Sequence, residues 1–158
     1  MVRNFMASPD VAEADVGDIV LPDYIGFHLR LAQLRVFREF FRAFEGTDMT
    51  PGVHTVLQII HDNPGIRQRA IAELLMVREP NMTRLIQSLQ EGHLISRAVD
   101  KTDRRARHLV LTEKGRELLD DLAPRMAALE KKVMSLFGAA ERKTLRYCLD
   151  QIRENIPY

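Results

Sequence analysis

"MTRLIQSLQEGHLISRAVDKTDRRARHLVLTEKG", residues 82–115, changes its hydrophobic period midway, and that change decides the fold. Up to Gln90 the apolar residues Met82, Leu85, Ile86 and Leu89 recur three and four positions apart, which is the stripe of one helix face. Gly92 then stops the helix. Beyond it, "LISRAV" and "RHLVL" are short runs rich in Ile, Val and Leu, separated by the polar loop 100–106. Such a pattern reads as a β-hairpin. Thr112 follows with a hydroxyl suited to cap a new helix.

Working upstream, Pro80 is tolerable only in a first turn, so the helix begins near residue 79. "IRQRAIAELLMV" predicts a helix before it, with Ile71, Leu74 and Leu75 inward. "MTPGVHTVLQIIHDNPG" predicts another, capped by Thr50, with Pro51 at its first position and Asn63-Pro64-Gly65 at its end. Short helices, a brief turn and a hairpin make a winged helix-turn-helix arrangement. In it residues 67–75 brace the unit, 79–91 form the helix that enters a major groove, and 100–106 form the wing.

The flanking segments are helical. Between Pro22 and Gly46 a helix runs from about Asp23 to Glu45. Phe27, Leu31, Leu34, Phe41 and Phe44 form one stripe on it; Ile25, Leu29, Ala32, Val36, Phe40 and Ala43 form a second, nearly opposite. A surface helix of a monomer needs one apolar stripe, so two predict a helix sandwiched between its own domain and a second subunit. His28, Arg35, Arg38, Glu39 and Arg42 make a polar wedge between them. A long helix after Thr112 is expected to break at Pro124 and stop at Gly138. The last, "ERKTLRYCLDQIREN", is expected to bury Leu145, Cys148, Leu149, Ile152 and Ile156. Residues 1–20, with one Arg against four acids, read as a flexible acidic arm.

Composition bounds the function. A chain of 158 residues fits one domain with helical extensions. One cysteine excludes an intramolecular disulfide, no apolar run approaches the roughly 20 residues of a membrane helix, and the N-terminus lacks a signal-peptide core. A cytoplasmic protein with no membrane partner is expected. The net charge is +1, but residues 51–112 carry nine Lys and Arg against six acids, an excess that hints at an anionic partner.

On the helix at 79–91, Arg84 and Gln87 face away from the apolar stripe, flanked by Asn81, Thr83 and Ser88. Arginine suits guanine, Asn and Gln suit adenine, and hydroxyls suit phosphates. An ordinary solvated face has the same residue types. Lys101, Arg104, Arg105 and Arg107 crowd the hairpin loop, where an arginine could enter a minor groove. Asp100 and Asp103 in that loop read as structuring residues, Asp100 bonding the turn backbone and Asp103 aiming a guanidinium.

The segments "AIAELLMV", "TRLIQSLQEGHLISR", "DKTDRRARHLVLTEKG" and "ERKTLRYCLDQIREN" resemble the multiple-antibiotic-resistance regulator (MarR) family of bacterial transcription factors. The resemblance covers about residues 24–156. It implies an obligate homodimer with interlocked first and last helices, binding a pseudo-palindromic operator in double-stranded DNA. It also implies a repressor released by a small phenolic or aromatic carboxylate, or by a coenzyme A (CoA) thioester. Pro80 and Glu79 depart from the family pattern. In the polar wedge and beside it, Tyr24, Phe27, His28, Arg30, Arg35 and Arg38 are the candidate effector contacts; intersubunit ion pairs would use the same arginines.

The expected architecture is therefore mainly α with a small β-hairpin. A winged helix-turn-helix lobe (50–112) sits beside a helical dimerisation region (21–49 and 113–158), preceded by the arm (1–20). A winged-helix module binding protein instead of DNA is the alternative. No catalytic constellation, nucleotide fingerprint, cofactor motif or metal site is visible. His54 and His61, seven apart on one helix face, have no evident third ligand, and Cys148 falls in an apolar stripe.

Overall fold

The computed structural model describes residues 22–99 and 107–156. Their order is α1 (Ile25–Ala43), α2 (Pro51–Asp62), β1 (Ile66–Arg67), α3 (Gln68–Leu74), α4 (Glu79–Glu91), β2 (Ile95–Val99), β3 (Arg107–Leu111), α5 (Glu113–Met134) and α6 (Ala139–Asn155). The caps expected from sequence form. Thr50 Oγ1 accepts the Val53 N–H and Pro51 opens α2; Thr112 Oγ1 accepts the Gly115 N–H at the start of α5. Gly65, at φ +91°, makes the left-handed turn out of α2 that side chains disfavour.

The hairpin is a three-stranded antiparallel sheet in the order β1-β3-β2. Ile66 pairs with Leu109, and Ile95 with Leu111. Two residues of β1 carry too little pattern to be read as a strand, so only the backbone pairing reveals them. Met82, Ile86 and Leu89 of α4 are buried with Val56, Leu57 and Ile60 of α2, Ile71 of α3, and Leu109 and Leu111 of β3.

Several expectations are corrected. Leu74 is exposed, because α3 ends there and the chain turns through Met76 at φ +52°. Pro124 does not interrupt α5, which runs unbroken from Glu113 to Met134. Proline removes one N–H from the ladder, while buried Leu119 and Leu122 before it and Leu129 after it hold both sides of the helix to one core. Gly138 does not stop α5, which ends four residues earlier. It begins α6 instead, its N–H donating to Glu141 Oε2 at 2.6 Å.

The two stripes of α1 are also redrawn. Phe40 and Phe44, assigned to opposite stripes, stack with ring centroids 4.1 Å apart, as residues one turn apart do, and both enter the core. The rest of both stripes is largely uncovered: Ile25, Phe27, Leu34, Val36 and Phe41 are exposed. No residue of α6 is buried; Leu145, Cys148, Leu149 and Ile156, expected inside, lie open and Ile152 is only half-buried. Amphipathic helices whose apolar sides find nothing within the described residues need a cover from elsewhere.

Two long-range clasps set α1 on α5. Arg125 Nη1 donates to the carbonyls of Ala43 and Glu45 at the end of α1, and Lys132 pairs with Glu39. At the other end of α5, Thr112 Oγ1 donates to His93 O at 2.6 Å and Lys114 Nζ to Gly92 O at 2.9 Å. A Cβ on Gly115 would lie 2.0 Å from the Leu94 carbonyl oxygen. Gly115→Ala should therefore cost about 3 kcal/mol or more, seen as a fall of roughly 10 °C in Tm. A shift under about 3 °C would show that the junction yields.

Candidate nucleic-acid interface and ligand crevices

The anchoring of α4 settles which side chains it presents. With Met82 and Ile86 wholly buried and Leu85 half-buried, Asn81, Thr83, Arg84, Gln87 and Ser88 are all exposed. The structure thus brings together the five helix residues singled out from sequence. Four of them have side-chain partners. Arg84 Nη2 donates to Asn81 Oδ1 at 2.9 Å, Gln87 Nε2 donates to Glu91 Oε1 at 2.9 Å, and Thr83 Oγ1 accepts from Gln68 Nε2 at 2.7 Å. Arg84 leans on a neutral amide, so its charge is not neutralised by any carboxylate among the described residues. Arg69, by contrast, is held by Glu73 at 2.7 Å and feels Glu79, which raises its pKa.

Asp100, Lys101, Asp103, Arg104 and Arg105 lie outside the described residues, as does the arm 1–20. Arg107 opens β3 opposite Val99, at the end of the hairpin away from α5. His108 Nδ1 lies 2.5 Å from the Gly65 carbonyl oxygen, tying the hairpin back to the α2–β1 turn.

Of the six candidate effector contacts, Arg30 and Arg35 line an open groove of about 810 Å³. Its walls are otherwise mostly apolar, from Leu29, Val36, Phe137, Leu145 and others of α1, the end of α5, the α5–α6 turn and α6. Tyr24, Phe27, His28 and Arg38 do not line it; Tyr24 is highly exposed, and Phe27 meets the His28 ring edge-on at 6.3 Å.

A second crevice, about 320 Å³, was not anticipated. His54 and Gln58 of α2 face Leu119, Ala123, Met126, Ala127 and Glu130 of α5 across it. No local pattern could show it, because its walls are more than sixty residues apart in the chain. His54 packs edge-on against Phe40 and Phe44, about 6 Å from each ring, and burial pushes its pKa below the ordinary histidine value of 6.5. His61 pairs instead with Asp62, and no group of metal-ligating residues occurs among the described ones.

A helix with a polar outer face, braced by a second helix and followed by a β-hairpin, defines a winged helix DNA-binding protein. Residues 47–106 match the MarR family. A Thauera aromatica protein proposed to regulate transcription of the hcr operon is 34% identical over 144 residues, which cover 90% of this chain and 86% of that one. The chain belongs to the MarR family of transcriptional regulators, which bind DNA and are not enzymes. Among solved structures, the transcriptional repressor CouR bound to a 23-mer DNA duplex matches with a TM-score of 0.74 at 33% identity. The match covers 82% of this chain and 92% of that one. CouR bound to p-coumaroyl-CoA matches with a TM-score of 0.74 at 30% identity, over 84% and 94% of the two chains. No helix among the described residues is long and apolar enough to cross a membrane.

Because the unfolded chain binds the His54 proton before the folded chain does, stability should be constant above about pH 6.5 and decline as pH falls below it. His54→Leu should flatten the decline between about pH 6.5 and 5, above the carboxylate range, in urea unfolding at a series of pH values. An unchanged slope would mean that His54 takes up its proton in the folded state without penalty.

Proposed function

We propose that this regulator is a homodimeric repressor whose two α4 helices enter successive major grooves of a pseudo-palindromic operator. The observation that carries the reading is the polar face of α4, with Asn81, Thr83, Arg84, Gln87 and Ser88 exposed over a fully buried stripe. Thirteen residues at 1.5 Å each give a helix of about 20 Å, enough for one groove. Two-fold symmetry sets the second about 34 Å away. Arg84 reads a guanine, Asn81 and Gln87 contact bases beside it, Thr83 and Ser88 hold phosphates, and Lys101, Arg104, Arg105 and Arg107 act from the wing. Asp100 and Asp103 keep that loop in shape.

The second copy covers the uncovered stripes of α1 and α6. Thus residues 21–49 and 113–158 dimerise, while 50–112 bind DNA. The DNA-bound CouR supports the repressor role, and the CouR complex with p-coumaroyl-CoA supports an aromatic acid or its CoA thioester as the releasing effector. Arg30 and Arg35, with Tyr24, Phe27, His28 and Arg38 from α1 of either copy, are the proposed charged and aromatic contacts. The α2–α5 crevice offers the uncharged aryl end a place against the winged-helix lobe.

Gel shift with the DNA upstream of the protein's own gene tests the reading. Arg84→Ala should relax specificity at one base pair, by about 1–3 kcal/mol. Arg104→Ala should weaken all duplexes and reduce the salt slope by about 1. Absence of any shift with wild-type protein would sink the regulator assignment. Leu145→Glu with Leu149→Glu should turn a dimer into a monomer in light scattering; a dimer that persists would put the interface elsewhere.

A further inference from the structure

Three threonines sit inside helices among the described residues, and they behave differently. Thr55 donates to Pro51 O at 2.8 Å and Thr144 to Ala140 O at 3.1 Å, the back-bond to residue i−4 that helical threonine commonly makes. Thr83 does not. Its Oγ1 accepts the Gln68 side-chain amide at 2.7 Å, and its hydroxyl hydrogen meets no acceptor among the described residues. Gln68 is the first residue of α3, so this bond crosses from the bracing helix to α4. A neutral hydrogen bond between exposed side chains adds little to stability, because water competes for both groups. Its effect is directional: a hydroxyl that has accepted a bond and has no back-bond must send its own proton outward.

The direction is informative. Arg84 and Gln87 lie opposite the buried stripe of α4, where a groove floor would be, whereas Thr83 lies to one side, next to α3. That flank meets a groove wall, and a groove wall is backbone phosphate. Resting on the reading of α4 as the recognition helix, we propose that Gln68 is a positioning residue: it holds Thr83 Oγ1 so that the hydroxyl donates to one phosphate oxygen of the operator. The contact carries no formal charge from the protein and reads no base. It contributes affinity to every sequence alike and releases no counterion.

The test uses fluorescence anisotropy with the full chain, the duplex upstream of its own gene, and a random duplex of equal length. Thr83→Val should weaken both duplexes by roughly five-fold with an unchanged salt slope and Tm, and Thr83→Ser, which keeps the O–H, should restore binding. Gln68→Met should weaken both duplexes in the same way, and should have no further effect in the Thr83→Val background. Wild-type affinity in Gln68→Met, or losses that add in the double variant, would overturn the positioning role. A loss confined to the upstream duplex would also overturn it, by making Thr83 a base contact. These outcomes stand apart from the regulator reading, which fails if the wild-type chain does not bind the upstream duplex.

Discussion

The structure turns on a close approach of backbone to backbone, where Gly115 lies against the Leu94 carbonyl with no room for a side chain. Three segments meet there. Gly92, His93 and Leu94 close α4 and lead into β2; Leu111 ends β3; Thr112 and Gly115 begin α5. Thr112 bonds both ways, donating to His93 O and accepting from Gly115 N–H, and Arg116 reaches back to the Leu111 carbonyl. His93 takes φ +58° to make the corner, which costs a non-glycine residue some strain. Many bonds thus converge on the end of α4, the root of the hairpin and the start of α5 and tie them together.

The same helix links the junction to the rest of the molecule. One end of α5 is welded to the root of the wing, its middle walls the α2–α5 crevice, and its far end clasps α1 through Arg125 and Lys132. Lys132 holds the Glu39 carboxyl below its ordinary range, so this clasp stays charged at neutral pH. α5 is one continuous helix, which Pro124 does not break.

Legibility followed the range of the forces involved. Capping, turn chemistry and period are local, so Thr50, Pro51, Gly92 and Thr112 marked their helix ends correctly, and the inward residues of α4 could be read off its stripe. The two apolar sides of α1 were equally visible, but the partition failed at Phe44, which a strict wheel places with Phe40. Pro124 misled because local propensity penalises it while tertiary burial on both sides carries the helix through. Gly138 misled because a glycine can begin a helix as well as end one.

The sequence by itself determined the order of the elements other than β1 and the polar face of α4, since both are written in short-range periodicity, and its motifs carried the resemblance to the family. What only the tertiary structure decided lies between segments far apart in the chain. It paired β1 with β3, opened a crevice between α2 and α5, and set Gln68 against Thr83 across fifteen residues. Such contacts depend on how packed helices cross and on which rotamers remain once the core is filled. No window along the chain contains both partners, so no pattern within one could announce them.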